Sequence, residues 1–183
     1  MTEKMSKDIL QRHLDELTGA IRLTLKAKKH IPTLILIYSA IDILAWLNRP
    51  LKQKDVKRRD FIAWVDQYLL RESKLLCSSM DLYAARCAIV HSYQAESKLS
   101  REGKAKQIWY AWGQADVNRL RERIHKAKLN QIAVAVHVED LAEALEHGIY
   151  KFITLIDSNH NEAEKVYSRV ETQLFANIPH DLL

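Results

Sequence analysis

A chain of 183 residues, 48% of them hydrophobic, is long enough for one globular domain with a real core and too short for two ordinary domains. The net charge of +5 is compatible with nucleic-acid binding but does not demand it. The segment Met1–Asp8 mixes both charge signs and lacks an apolar core, so we expect no secretory signal, a cytoplasmic protein and no membrane partner.

Scarce glycine and proline and long stretches of helical periodicity predict a mainly α fold. A first helix is expected over Lys4–Lys28. Pro32 suits the first turn of a second helix, and the run Leu34–Leu47 is apolar nearly all round, which predicts a central position. A basic connector, Leu51–Arg59, then leads to a third helix capped by Asp60.

Asp42 is the only acidic residue in that apolar run. An unpaired buried carboxylate is costly or takes up a proton, so Asp42 needs a cation or hydrogen-bond donors. Tyr38, Ser39 and Asp42 share a face at helical spacing, and we suggest that this polar face meets Arg86. The alternative is that Asp42 lies at a protomer boundary or at the solvent edge.

A further apolar helix begins near Ser78, which with Asp81 three residues later predicts a capping box. It contains three side chains suited to phosphate chemistry. Arg86 is a permanent planar cation, His91 can exchange a proton near neutral pH, and Tyr93 offers a hydroxyl. These groups are sufficient for phosphodiester chemistry without a metal.

The spacing Arg86-x4-His91-x-Tyr93 resembles the signature of the HEPN family, helical domains many of which are metal-independent ribonucleases. The resemblance covers residues 86–93 closely and the first half of the chain loosely. It implies a HEPN-like helical bundle in which His91 is the acid or base, Arg86 stabilises phosphate charge and Tyr93 orients His91 or the phosphate. An acidic residue is frequent in the equivalent helix, which implies a supporting role for Asp42. Cys87 stands where the family usually has Asn, Asp or His.

The resemblance also implies partners, namely RNA and a second copy of the chain. Arg86 and His91 diverge by about 140° on a straight helix. Either the helix ends or bends near His91, or two copies pair these groups across a two-fold axis, as in HEPN nucleases, and we predict a homodimer.

In HEPN toxins that are paired with a nucleotidyltransferase antitoxin, the motif tyrosine can receive an inactivating nucleotide, which implies a second role for Tyr93. The competing interpretation is a non-catalytic module for dimerisation or for nucleic-acid or nucleotide binding, with Arg86 and Asp42 as a structural ion pair.

No metal or cofactor is predicted. Cys77 and Cys87 lie in apolar surroundings without CxxC or HxxxH spacing, so we expect reduced, buried thiols, with a zinc site that adds His91 as the alternative. The sequence also lacks a Gly-rich phosphate loop, a nucleophile elbow and HExxH. This argues against kinases, nucleotide hydrolases, esterases and metalloproteases.

The segment Gln94–Lys106 has little apolar content and is expected to be a loop beside the motif. The hydrophobic period then changes to two over Ile108–Trp112 and again over Ile132–Val138, which predicts two strands. The long connection permits parallel or antiparallel pairing. Because two strands alone are marginal in water, we expect a β-containing insertion at about 105–138 that packs on a single domain, 1–183.

Basic residues in this loop and in the insertion are candidates for phosphate binding. They are Lys98, Arg101 and Lys104 in the loop, and Arg119 and Arg123 on a short helix whose apolar positions are Val117, Leu120, Ile124 and Ala127. The alternative is a solvated face that balances Glu122 and nearby acids. Trp109, Tyr110 and Trp112 are either stacking platforms for bases or core residues.

Two helices are expected in the remaining sequence. The first begins near Glu139 and runs to about Asp157, and Gly148 inside it predicts the close approach of another helix. After a turn at Asp157–Asn161, a final helix is expected to about Phe175.

Overall fold

The computed structural model describes residues 3–92 and 94–173, without the side chains of residues 91, 92 and 171–173. These residues form eight α-helices and one two-stranded sheet, so the predicted mainly α fold with a small β appendage is confirmed. In chain order the elements are α1 (Glu3–Lys26), α2 (His30–Asn48), α3 (Arg58–Trp64), a π-helical segment (Val65–Leu70), α4 (Ser79–Ser92), α5 (Lys98–Arg101), β1 (Gln107–Ala111), α6 (Val117–Lys126), β2 (Ala133–His137), α7 (Val138–Ser158) and α8 (His160–Gln173).

Helix α2 is the centre of the bundle, as its apolar sequence predicted. Ile37, Ala40, Ile41 and Leu44 have no exposed surface, and α2 packs against α1, α3, α4, α7 and α8. With a mean hydropathy of 1.6, α2 is the one described helix long and apolar enough to cross a membrane. Its contacts with five other helices are those of a core helix.

Helix α3 continues into the π-helical segment, and each presents an aromatic side chain to α7. Trp64 and Tyr68 contact Phe152 edge to face, with ring centroids 6.4 and 5.3 Å apart. A Cβ at Gly148 of α7 would lie 3.2 Å from the backbone oxygen of Tyr68. The prediction that Gly148 admits a close neighbour is therefore confirmed, and the neighbour is the π-helical segment.

Two carboxylates stabilise the starts of α3 and α4, although α3 begins at Arg58, inside the predicted connector, so that Asp60 lies in its first turn and Lys57 is the N-cap. Asp60 accepts a hydrogen bond from the backbone N–H of Lys57 at 2.6 Å. In the capping box of α4, the Ser78 N–H donates to Asp81 at 2.9 Å and the Asp81 N–H donates to the Ser78 hydroxyl at 3.1 Å. Asp81 also accepts the N–H of Lys106 at 2.6 Å, which ties the segment before β1 to the start of α4.

The two predicted strands pair in parallel, from Gln107 opposite Ala133 to Ala111 opposite His137. This decides the orientation that the sequence left open. Helix α6 connects the strands and packs on the sheet in a second small core, which contains Ile124, Ala133 and Ala135 with Trp109, Val117, Leu120 and Leu129 against it. Other strand residues join the main core, so the β–α–β unit is an appendage attached to the bundle.

Some boundaries differ from the sequence-based expectation. The segment Gln94–Lys106 is not a loop throughout, because α5 forms one turn that begins where the Ser97 hydroxyl accepts the N–H of Ser100. Helix α1 ends at Lys26, since Lys28 adopts a φ of +54° that a helix does not tolerate. The predicted end of α8 near Phe175 lies outside the described residues.

Candidate functional site

Arg86 and Asp42 form an ion pair between α4 and α2. Oδ2 of Asp42 lies 2.7 Å from both Nε and Nη2 of Arg86. The side chains keep 21% and 25% of their surface exposed, so the pair lies at the edge of the bundle. The suggestion that Asp42 meets Arg86 is confirmed, and the carboxylate has the cation that its place in an apolar helix requires.

Tyr38 does not follow Asp42 toward Arg86. Its side chain is fully buried, and its hydroxyl lies 2.5 Å from the hydroxyl of Tyr110 in β1. Burial is the main cause that raises the pKa of both phenols, so both are neutral. The expected polar face is thus divided, with Asp42 contacting α4 and Tyr38 contacting the sheet.

The Arg86 guanidinium remains charged. Burial lowers its pKa, but the hydrogen bond and the charge of Asp42 outweigh that effect and raise it. Cys87 is a free thiol that is only half-buried, which corrects the expectation of a buried side chain. Cys77 is buried, and burial raises its pKa to about 12, so this thiol is a protonated core residue.

His91 lies in the last turn of α4, which continues to Ser92. Because the backbone is helical through His91, the attachment points of Arg86 and His91 differ by about 140° around the axis and by roughly 7.5 Å along it. The helix does end near His91, as one alternative expected, but only at Ser92, one residue too late to turn His91 toward Arg86. Pairing across a two-fold axis stays a prediction. The side chain of His91 and the whole of Tyr93 lie outside the described residues.

An apolar groove of about 650 Å³ opens between α1 and α2 beside the ion pair. Asp42 lines it together with Ile43 and Trp46, opposite leucine side chains of α1, whereas Arg86 is not part of its lining. Removing a phosphate from water into apolar walls is unfavourable. The groove is therefore a poor phosphate site, and the exposed edge at Arg86 is the better candidate.

The candidate cations near α5 are exposed and partly neutralised. Lys98 and Lys104 share the carboxylate of Glu102, at 3.7 and 2.7 Å. Arg101 forms no ion pair with any residue in the described ranges, 3–92 and 94–173. Such exposed pairs are weak and exchange readily with solvent or with phosphates. Lys98, Arg101 and Lys104 therefore keep a net charge of +2 after Glu102 is counted. The first two lie on α5, which packs against α4, and Lys104 follows its end.

The candidate stacking residues have structural contacts. Trp109 packs in the second core, and Tyr110 is bound to Tyr38. Trp112 packs against the ring of His30, with the centroids 4.3 Å apart. The core interpretation therefore holds for all three residues, because Tyr110 and Trp112 pack against the main core and Trp109 packs against the second one.

Two buried arginines were not found by the sequence analysis. Arg49 and Arg169 have 5% and 4% of their surface exposed near the end of α2, where Arg169 donates to the carbonyl of Leu47. Burial, and then the charge of Arg49, lowers the pKa of Arg169 to about 10. No periodic pattern marks such residues, because arginine usually occupies exposed positions.

Comparisons with known proteins found no matching family model, no similar curated protein and no similar solved structure. No group of three or more His, Cys, Asp or Glu side chains suited to a metal ion occurs among the described residues. The chemistry of the site therefore has to be argued from Arg86 with Asp42, from the position of His91 on α4, and from the basic surfaces of α5 and α6.

Proposed function

We propose that the protein is a metal-independent endoribonuclease of the HEPN type. The RNA 2′-hydroxyl attacks the adjacent phosphorus, the bond from phosphorus to O5′ breaks, and a cyclic phosphate and a 5′-hydroxyl are formed. His91 accepts the proton of the 2′-hydroxyl or delivers one to O5′. Arg86 neutralises the charge that accumulates on the phosphate oxygens in the transition state. The substrate supplies its own nucleophile, so no covalent enzyme intermediate is needed.

The Arg86–Asp42 ion pair is the observation that carries this proposal. Contacts of 2.7 Å to Nε and Nη2 fix the plane of the guanidinium before any substrate arrives. The residual exposure of Arg86 leaves the group within reach of a ligand. A cation that is already oriented stabilises developing charge without a further reorganisation cost. The basic helix α5, which packs against α4, adds positive charge nearby.

The same contact also favours a second candidate, a non-catalytic helical module. A carboxylate that links α2 to α4 is what a structural ion pair requires. In that case Arg86 contributes to stability, and the protein binds nucleic acid or a nucleotide without cleaving it.

RNA cleavage by purified protein distinguishes the two candidates. Wild type, Arg86→Gln and His91→Ala are incubated with labelled RNA in the presence of EDTA. We expect cleavage by wild type and a loss of about two to four powers of ten in rate for each variant, because each removes one part of the transition-state stabilisation. If the protein acts as a toxin, its overexpression arrests growth and His91→Ala relieves the arrest.

The matched control is His160→Ala, which removes an exposed histidine at the start of α8. It should cleave RNA at the wild-type rate. Circular dichroism and thermal melting show whether each variant is folded. RNA that stays intact with folded wild type would reject the nuclease and leave the binding module.

A further inference from the structure

A cleft of about 590 Å³ lies at the carboxyl end of β1, between the strand and α6. Arg119 and Arg123 line it from positions one turn apart on α6, and Gln114 lines it from the connecting loop. In open α/β sheets, ligands bind in the crevice outside the carboxyl ends of the strands, and this cleft has the same placement relative to β1. Neither Arg86 nor Asp42 lines this cleft, so it is distinct from the candidate catalytic surface.

The loop that forms one wall of the cleft is held from two sides. The N–H of Gly113 donates to Glu139 of α7 at 2.8 Å, and Trp112 packs against His30 of α2. Gly113 has a φ of +56°, which glycine adopts without strain, and the N–H of Ala115 closes a turn onto the carbonyl of Trp112 at 2.9 Å. The wall is therefore fixed before a ligand binds, which lowers the entropic cost of binding.

The charge of α6 favours an anionic ligand. The stretch 117–128 contains five arginine and lysine residues and a single acid, Glu122. Ile124 is buried in the second core, and this orientation puts most of the basic residues on the solvent side of α6. The helix therefore presents a net positive face, part of which borders the cleft.

Inside the cleft, one of the two guanidinium groups has no acidic partner. The one acid in the lining, Asp116, is the N-cap of α6 and accepts the N–H of Asn118 at 2.8 Å. Its other carboxylate oxygen lies 4.0 Å from Nε of Arg119, the outer limit of an ion pair. Arg123 has no ion pair within the part of the chain that the structure describes. A phosphate between the two arginines would supply the missing counter-charge.

We propose that this cleft binds a phosphate group of single-stranded RNA and so anchors the substrate strand at a second place, an inference that rests on the proposed ribonuclease function. Guanidinium groups match the geometry of phosphate oxygens, and the Gln114 amide adds a donor. Phosphate contacts position a strand without reading its sequence. The site therefore acts on the affinity for the strand and not on the bond-breaking step.

Strand binding by Arg119→Gln/Arg123→Gln tests this site. The probe is a fluorescent 2′-O-methyl oligouridylate of about 12 nucleotides, which a 2′-hydroxyl mechanism cannot cleave, and binding is measured by fluorescence anisotropy. We expect roughly 20-fold weaker binding at about 0.1 M salt, because the charge-assisted hydrogen bonds of two guanidinium groups to the phosphate are lost. The salt dependence of log Kd should be shallower by about 0.7, because one phosphate is no longer neutralised. The full-length variant should melt at the wild-type temperature, since both side chains are exposed.

The matched control is Lys126→Gln/Lys128→Gln, which removes two charges from the same basic stretch outside the cleft. It should change the affinity by less than roughly threefold. Equal weakening by both double variants would indicate a diffuse basic face and overturn the cleft site. Wild-type strand affinity in Arg119→Gln/Arg123→Gln would also overturn it. Because the probe cannot be cleaved, these outcomes do not depend on whether wild type cleaves RNA.

Discussion

Asp42 places a carboxylate in an apolar helix, and the ion pair with Arg86 stabilises it there. We expect Asp42→Ala to lower the free energy of unfolding by about 1–2 kcal/mol, between the small effect of breaking an exposed pair and the larger effect of breaking a buried one. The reason is that a guanidinium only 21% exposed loses its carboxylate. Urea denaturation of wild type and variant measures this difference.

A double-mutant cycle with Arg86→Met separates the pair from the effect of each truncation. The double variant should be more stable than the sum of the two single losses predicts, by about 1 kcal/mol, because neither charge is then left without its partner. Additive losses would mean that Asp42 and Arg86 do not stabilise each other.

At the level of single residues, the sequence predicted what local chemistry requires. A carboxylate in an apolar helix needs a cation or hydrogen-bond donors, and that argument together with the family resemblance led to Arg86. Ser78 and Asp81 form their capping box because its signal is contained within four residues. No local sequence pattern predicts the hydrogen bond between the hydroxyls of Tyr38 and Tyr110, because 72 residues separate them and only the tertiary fold brings them together.

The crossing of α7 over the π-helical segment depends on Gly148. A Cβ at this position would meet the Tyr68 carbonyl oxygen and the buried Trp64 ring at 3.2 Å. Alanine gains about 1 kcal/mol of helix propensity, but neither neighbour yields easily. We therefore expect Gly148→Ala to destabilise by about 1 kcal/mol and Gly148→Val by about 3 kcal/mol, as overpacking does. Thermal or urea unfolding measures both effects.

Gly19 in α1 provides the control, because a Cβ built there would meet nothing within 4 Å apart from its chain neighbours and the backbone of its own helix. Gly19→Ala should stabilise the protein by up to about 1 kcal/mol through helix propensity alone. A gain of the same size for Gly148→Ala would show that the packing at Gly148 is looser than the distances indicate.

Among the elements, those with a strong hydrophobic period were predicted and those set by tertiary contacts were not. The helical period of α7, the continuous apolar run of α2 and the alternation of the two strands appear directly in the sequence. The parallel direction of the strands does not, because it depends on how α6 crosses back over the sheet. The π-helical segment Val65–Leu70 could not be predicted from the sequence either, because its apolar positions fit an α-helix equally well.

At the scale of the whole molecule, the proposed chemistry raises the question of how many subunits make one site. Helix α4 is regular through His91, so its geometry directs the attachment points of Arg86 and His91 to different sides. A second copy related by a two-fold axis would present the missing group from its own α4. The homodimer is thus a prediction about catalysis as well as about assembly, and sedimentation equilibrium measures its mass.

Mixing two inactive variants tests whether the site is shared. When Arg86→Gln and His91→Ala subunits are co-expressed, about half of the dimers should contain one subunit of each kind. In each of these mixed dimers, one of the two sites would be complete. We therefore expect about one quarter of wild-type cleavage from the mixture, although each variant alone is inactive. A site within one subunit would remain incomplete in every dimer, so a mixture as inactive as its components would reject the shared site.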